Sequence, residues 1–190
     1  MYSPPKKIFT FLTGAVMSTL VFGMIYAAVQ QDMRMSANDP QIQIAEDTAT
    51  YLNSAGDMQS LAGQYDQVDF GQSLAPFIIV YDAHGTPLLS TGTLDGDVPT
   101  VPPGVLTYAT VHGEDHLTWQ PSSTTRVATV VVPYVGDGSG GYILVGRNLR
   151  EVEKRELSLE EMVFVGWALS LVLLALICVI PMVITHLSHE

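Results

Sequence analysis

Residues 77–91, FIIVYDAHGTPLLST, decide the fold of the central part of the chain. The first six residues form a nearly continuous apolar run, rich in β-branched side chains and as long as a buried strand. Ala83-His84-Gly85 predicts a tight turn, in which Gly85 supplies a positive φ. Residues 86–91 then return as a partner strand, so the whole stretch predicts a β-hairpin.

Further strand and helix patterns follow this hairpin. After a loop rich in Gly, Asp and Pro at 92–103, residues 104–112 predict a short helix. Residues 116–120, 126–135 and 141–148 predict three more strands, the last two joined by the flexible glycine-rich segment 136–140. Because strands joined by hairpins pair antiparallel, we expect one antiparallel five-stranded sheet.

A longer helix is predicted before the hairpin. Asp39 and Pro40 are a suitable N-cap and first helical residue, and Gly56 is a C-terminal stop signal. Four apolar residues recur at helical spacing and form one stripe: Ile42, Ala45, Ala49 and Leu52. The stripe fits packing on the sheet and also pairing with its copy in a second chain. The predicted fold class is therefore α+β, a single domain with a central antiparallel five-stranded sheet and a long N-terminal helix.

Two apolar runs without charge flank this domain. Ile8–Val29 contains 22 uncharged positions and Met162–Thr185 contains 24. The first run reaches about 33 Å as a helix, enough to cross a hydrocarbon core of about 30 Å. We therefore predict transmembrane helices at 8–29 and 162–187, with the domain at 30–161 between them. A charged helix from Leu149 to Glu161 runs into the second span, and Gly14, Gly23 and Ala27 permit close contact with that span, a second copy or another protein.

The first run has a second interpretation as a cleaved signal peptide. Lys6 and Lys7 form a positive n-region, and Tyr26-Ala27-Ala28 resembles a small-residue cleavage site. The run is longer than a signal-peptide core and ends in no A-x-A motif, which favours an uncleaved anchor. Lys6 and Lys7 then stay in the cytoplasm. Residues 1–7 and 188–190 are accordingly expected inside the cytoplasm and the domain outside it.

The segment 30–161 is strongly acidic. It contains six basic residues and eighteen acidic ones, a net charge of −12. Such a surface repels phosphate backbones and anionic lipid head groups, so we expect no nucleic acid among the partners. Cys178 lies inside the second run and is the single cysteine of the chain, so no disulfide framework is predicted.

Two stretches, VYDAHGTPLLSTG (80–92) and RVATVVVPYVGDGSGGYILVGRNLREVEKRE (126–156), resemble the extracytoplasmic PAS-like (Cache or PDC) domains of bacterial sensor histidine kinases. In those domains a V-Y-D-x-x-G hairpin opens the sheet, and a closing strand leads through a signalling helix into the second membrane helix. The resemblance covers residues 38–187 and implies a single PAS-like sensor domain. A sensor kinase continues well beyond this point, whereas few residues follow here, so we expect no catalytic output from this chain.

The resemblance also implies a location and a role. We expect a multi-pass protein of the bacterial cell inner membrane, surrounded by the lipid bilayer. It would serve signal transduction as a sensor-like or accessory module that acts through a membrane protein partner or a homodimer. The alternative is a structural subunit of a membrane or envelope assembly that binds no small molecule.

A small-molecule ligand of a PAS-like domain would bind at the sheet face beneath the short helix. Aromatic or cationic residues near that face are the candidate ligand contacts: Tyr108, His112, Trp119, Arg126 and Tyr134. An arginine among so many acids can bind a ligand carboxylate in a bidentate manner. The other interpretation of the same residues is a set of core aromatics and one surface arginine.

No enzyme activity, metal site or cofactor is predicted. His112-Gly113-Glu114-Asp115-His116 matches neither H-E-x-x-H nor H-x-x-E-H, so a solvated loop is favoured over a weak metal or pH-sensing site. Residues 136–141 lack the Lys-Ser/Thr pair of a phosphate-binding loop. Asp95-Gly96-Asp97 lacks the spacing of a calcium loop.

The two apolar runs generate the first testable prediction. The full chain should stay in the membrane pellet after carbonate washing and enter the detergent-rich phase in a detergent phase separation, because both runs match the hydrocarbon thickness. Immunodetection of the chain in each fraction measures this. Recovery of the chain in the aqueous phase would contradict the two spans.

Overall fold

The computed structural model describes residues 4–36, 38–54, 56–136 and 140–187. Contacts divide the chain into two units. The helical unit contains the chain up to Met33 and from Lys154 onward, and the sheet unit contains Arg34–Glu153. The membrane boundaries at 8–29 and 162–187 stay a prediction, since the units are defined by contacts within the protein.

The described residues form helices and strands in the following chain order: α1 (Pro4–Ser36), α2 (Asp39–Asn53), α3 (Met58–Ala62), β1 (Val68–Asp69), β2 (Phe77–Asp82), β3 (Pro87–Ser90), β4 (Gly92–Thr93), α4 (Pro103–His112), β5 (Asp115–Ser122), β6 (Thr125–Tyr134), β7 (Gly141–Asn148) and α5 (Arg150–Leu187). The main sheet has five antiparallel strands in the order β3-β2-β7-β6-β5. β1 and β4 form a separate parallel pair. The predicted α+β class and five-stranded antiparallel sheet are confirmed.

The β2–β3 hairpin confirms the predicted turn. Gly85 has a φ of 81°, and its N–H donates to the Asp82 carbonyl at 3.1 Å. The Asp82 carboxylate accepts the backbone N–H groups of His84 and Thr86 at 2.9 and 2.7 Å. These bonds, the one from Thr86 first, lower the pKa of the Asp82 carboxyl. The turn residues themselves therefore fix the hairpin.

Both faces of the main sheet are covered, which explains the continuous apolar run in β2. Alternate residues of a strand point to opposite faces. One face packs against α2 and forms the α2-side core: Ala45, Leu52, Leu61, Ile78, Val80, Val130, Val132, Tyr134, Ile143 and Val145. The other face packs against α4 and forms the α4-side core: Phe70, Phe77, Ile79, Tyr81, Val101, Leu106, Ala109, Trp119, Val127, Val131 and Leu144.

Helix α2 differs in detail from its prediction. Asn38, and not Asp39, is the N-cap, and the helix ends at Asn53, before Gly56. α2 lies on the main sheet, which is one of the two packings expected for its apolar stripe. Ala45 and Leu52 of the predicted stripe are buried, but the other fully buried residues on this face are the polar Gln41 and Thr48. Ile42 and Ala49 are only partly buried, because they lie to one side of the contact.

The short elements α3, β1 and β4 were not predicted. α3 begins after Asp57, whose carboxylate accepts the Ser60 N–H at 2.9 Å and so caps the helix. Val68 pairs with Gly92 and Asp69 with Thr93. Two-residue strands that pair across such a distance in the sequence have no local period, and no sequence pattern indicates them.

The helical unit is an antiparallel pair formed by α1 and α5. In chain order along α1, Gly14 faces Leu174, Ser18 faces Ser170, and Phe22 faces Gly166. The two serine hydroxyl oxygens are 2.6 Å apart, and Trp167 Nε1 donates to Thr19 Oγ1 at 3.0 Å. The small residues at these positions permit the close approach, as they do in membrane helix pairs.

Both long helices are long and apolar enough to cross a membrane, as predicted. None of the residues in their most apolar windows is buried within the protein. A core helix of a soluble protein would bury such a surface. The two helices therefore present apolar side chains outward, and in the sequence they precede and follow the α+β sheet unit.

Gly146 generates a prediction about the packing of the sheet. A Cβ atom at Gly146 would overlap the Phe77 ring and lie 2.9 Å from Val127 Cγ1. Gly146→Ala should therefore lower the free energy of unfolding by about 1–3 kcal/mol through overpacking. Thermal or denaturant unfolding of the full chain in detergent measures this.

Gly104→Ala is the matched control for Gly146→Ala. Gly104 lies in the first turn of α4, and no atom lies within 4 Å of a Cβ there. This variant should raise the free energy of unfolding by about 0.5–1 kcal/mol, because alanine loses less backbone entropy. A Gly146→Ala protein as stable as the wild type would contradict the close packing of Phe77.

Candidate functional site

The junction between β7 and α5 centres on Asn148, which is 6% exposed. Its Nδ2 atom donates to the Phe70 carbonyl at 2.7 Å, across 78 residues of sequence. Its Oδ1 atom accepts the N–H of Arg150, the first residue of α5, at 2.8 Å. One amide therefore joins the end of the central strand, the start of the last helix and a distant loop.

That loop, Asp69–Leu74, makes two more bonds to the junction. Arg147 Nε donates to the Leu74 carbonyl at 3.0 Å, and Arg150 donates through Nη2 to the Gln72 carbonyl at 2.9 Å. Within the loop, the Asp69 carboxylate accepts the Gly71 N–H at 2.9 Å and the Gln72 side chain at 3.1 Å. The loop is thus ordered by its own bonds and held by three side chains of the junction.

A second contact joins the first turn of α5 to β6. The Leu149 N–H donates to the Arg126 carbonyl at 2.9 Å, and Arg126 Nη1 lies 2.6 Å from Glu153 Oε1. The two side chains are 51% and 39% exposed, so this ion pair contributes at most about 1 kcal/mol. The pair links the first turn of α5 to β6.

Phe70 connects the junction to the α4-side core. Its ring stacks on Phe77 with centroids 4.2 Å apart, and its centroid lies 6.1 Å from that of Trp119. The carbonyl of the same residue accepts the Asn148 amide. Phe70 therefore belongs to the α4-side core through its ring and to the junction through its carbonyl.

The α4-side core contains few polar groups. The Tyr81 hydroxyl is buried and has no hydrogen-bond partner among the described residues, and burial raises its pKa. Tyr142 and Thr110 Oγ1 form a hydroxyl pair at 2.8 Å near the end of α4. The buried residues of the described chain include no Asp, Glu, Lys, Arg or His. This face suits a neutral, largely apolar group better than a charged one.

The structure does not bring the five candidate ligand residues together. Tyr108 and His112 stack on each other on the exposed side of α4, with ring centroids 3.9 Å apart. Trp119 lies in the α4-side core, whereas Tyr134 lies in the α2-side core across the sheet. Arg126 is exposed and paired with Glu153. Of the five, Trp119 alone belongs to the core beneath α4.

The sequence analysis did not identify Phe70 and Tyr81 of the α4-side core. It also did not identify Asn148 at the junction. The alternation in β2 places Phe77 and Tyr81 on one face, so the position of Tyr81 could be predicted from the sequence. Asn148 ends an apolar strand and stands just before a helical pattern, a position where a side-chain oxygen often caps a helix. Phe70 lies in an irregular segment and gave no such signal.

The His112–His116 segment is placed by the end of α4. Gly113 terminates the helix with a φ of 89°, and His116 Nε2 lies 3.2 Å from Glu114 Oε2. In the part of the chain that the structure describes, no group of three or more His, Cys, Asp or Glu side chains is positioned to hold a metal ion.

No model of a protein family matches the chain, and no curated protein matches it. Among solved structures, the chain is similar to the ligand-binding domain of the amino acid chemoreceptor PctC of Pseudomonas aeruginosa PAO1, in complex with GABA. The two are 14% identical with a TM-score of 0.44, and the match covers 73% of this chain and 62% of that one. The match thus spans less than two thirds of the chemoreceptor domain, and a TM-score this low does not establish a common fold.

Tyr81 generates a prediction about the α4-side core. Tyr81→Phe should leave the free energy of unfolding unchanged or raise it by about 1 kcal/mol, because it removes a buried hydroxyl that has no partner. Tyr142→Phe, the matched control, removes a hydroxyl bonded to Thr110 and should lower it by about 0.5–1.5 kcal/mol. Chemical denaturation of both variants measures the difference. A larger loss in Tyr81→Phe than in Tyr142→Phe would contradict the unpaired state of Tyr81.

Proposed function

We propose that the chain is a membrane-anchored, non-catalytic sensor-like or accessory module that acts through a partner protein. The observation that supports this proposal is the β7–α5 junction. Asn148 connects the Phe70 backbone to the first residue of α5. α5 then continues as one helix from Arg150 to Leu187 and contains the second candidate span. A change in the domain core therefore has a covalent and hydrogen-bonded route into that helix.

The proposed mechanism is a shift between two populations. A ligand or partner that binds better to one arrangement of the α4-side core displaces the Phe70 ring, and the Phe70 carbonyl moves with it. The bond to Asn148 then favours a different position of the first turn of α5. Such a shift can be no larger than the difference in affinity for the two arrangements.

The proposed topology follows the charges near the first span. We place residues 1–7 and 188–190 in the cytoplasm of a bacterium, 8–29 and 162–187 in its inner membrane, and 30–161 outside. Lys6 and Lys7 support this orientation. The acidic character of the central segment supports a domain that stays away from anionic head groups.

The proposed ligand is small and neutral. Trp119 is the candidate contact that lies beside Phe70, and the Tyr81 hydroxyl offers an unused hydrogen-bonding group in the same core. Tyr108 and His112 would contact a molecule that approaches the outer side of α4. A carboxylate ligand at Arg126 would have to displace Glu153, and Tyr134 would serve a separate site across the sheet.

A structural subunit without a ligand is the second candidate. The close stacking of Phe70 and Phe77 beneath α4 favours it, since a filled core leaves less room for a ligand. The two candidates differ in what the junction does. A sensor-like module needs the Asn148 bond to change its action on a partner, and a structural subunit needs it only for stability.

A photo-crosslinking experiment in native membranes tests the proposed function. A photoreactive residue replaces Leu157, which is 64% exposed on α5, in the full-length chain. Asn148→Leu removes the bond to Phe70, and we expect the yield of the crosslinked partner to change by about fivefold, the shift that one hydrogen bond allows. Tyr142→Phe, which loses a hydrogen bond away from the junction, should leave the yield unchanged.

Each outcome of this experiment decides between the candidates. A partner adduct that responds to Asn148→Leu but not to Tyr142→Phe supports the sensor-like module. An adduct whose yield is the same in all three proteins favours the structural subunit. Absence of any adduct, whether with another protein or with a second copy of the chain, would contradict action through a partner.

A further inference from the structure

The buried face of α2 has a polar residue at its centre. Gln41 is fully buried, and its Nε2 and Oε1 atoms have no hydrogen-bond partner among the described residues. Thr48, the other buried polar residue on this face, donates to the Ile44 carbonyl at 2.6 Å and is satisfied within the helix. The Gln41 amide therefore weakens the described position of α2 without compensation.

Apolar side chains lie on both flanks of this polar centre. Successive helical residues are turned by about 100°, which puts Ile42 and Ala49 on one flank of Gln41 and Ile44 and Tyr51 on the other. All four are partly buried against the α2-side core. A rotation of α2 by about 50° would turn Ile42 and Ala49 into the contact beside Ala45 and Leu52. The core would then meet apolar side chains only, and the Gln41 amide would move toward solvent.

The two ends of α2 are held differently. At the C-terminus, Asn53 Oδ1 accepts the N–H groups of Val135 and Gly136 at 2.8 and 3.3 Å. At the N-terminus, Asn38 makes no capping hydrogen bond with its side chain. The Asn53 bonds therefore hold the described position of α2 at its C-terminus, and no side-chain cap bond of Asn38 adds to them at the N-terminus.

We propose that α2 is a rotary switch with two positions on the sheet. In one, the described position, Gln41 is buried and Asn53 is bonded to residues 135 and 136; in the other, α2 is turned about its axis, the Asn53 bonds are released, and Ile42 and Ala49 pack on the sheet. The unpaired amide keeps the free energies of the two positions close, so that a modest difference in binding energy selects between them. The switch adds a conformational device at the start of the sheet unit, independent of the β7–α5 junction.

Two substitutions of Gln41 test the switch in the full chain in detergent. Gln41→Met keeps the length of the side chain but removes the amide, and it should raise the melting temperature by about 4 °C. Gln41→Glu puts a charge at the buried position and should favour the turned position. Gln43→Met, the same substitution on the exposed side of α2, is the matched control. It should change neither the melting temperature nor the preference between the two positions of α2.

Single-cysteine reporters follow the rotation directly. In a Cys178→Ser background, a cysteine at position 42 or 44 is labelled with a maleimide, and the ratio of the two rates is measured. Gln41→Glu should slow labelling at 42 and speed it at 44, changing the ratio by about tenfold, and Gln41→Met should move the ratio the opposite way. Parallel changes at both positions would show local unfolding and overturn the proposal. So would a melting temperature that Gln41→Met does not raise, or that Gln43→Met raises equally.

Discussion

The buried hydrogen bond from Asn148 to the Phe70 carbonyl is the contact on which the organisation of the sheet unit depends. It is made at the end of β7, a central strand that pairs with both β2 and β6. A bond at the centre of the sheet constrains more of the structure than one at an edge, because every neighbouring strand shares its register. Arg147 and Arg150 donate to the same loop, so three side chains join the end of β7 and the first residue of α5 to it.

The two cores have different roles because of this arrangement. The α4-side core contains Phe70 and is connected to α5 through Asn148. The α2-side core lies under α2, whose first turn carries the buried and unpaired Gln41. In the two proposals, the sheet therefore separates the core that acts on α5 from the core on which α2 turns. Apolar packing in the interior supplies stability, and a few buried polar groups determine which segments are joined.

Much of the sheet could be predicted from the sequence, because β2, β6 and β7 are apolar runs bounded by turn residues. The Asp69–Leu74 loop could not, since its place depends on bonds to residues more than 70 positions away. The candidate ligand residues were grouped by type and proximity in the sequence. The alternation of side chains along β6 already places Arg126 and Tyr134 on one face of the sheet and Val127 on the other. The face of Trp119 needed the register of β5 with β6, which no local pattern supplies.

Hydrogen exchange of the full-length protein tests the central claim most directly. In Asn148→Leu, the account predicts that the amides of Gly71, Ser73 and Arg150 lose protection together, by about five- to tenfold, because they belong to one bonded unit. The amide of Val80 in β2 should keep its protection. Loss of protection at Arg150 alone, or an equal loss throughout the sheet unit, would contradict the claim that the loop, the end of the central strand and the start of α5 form one bonded unit.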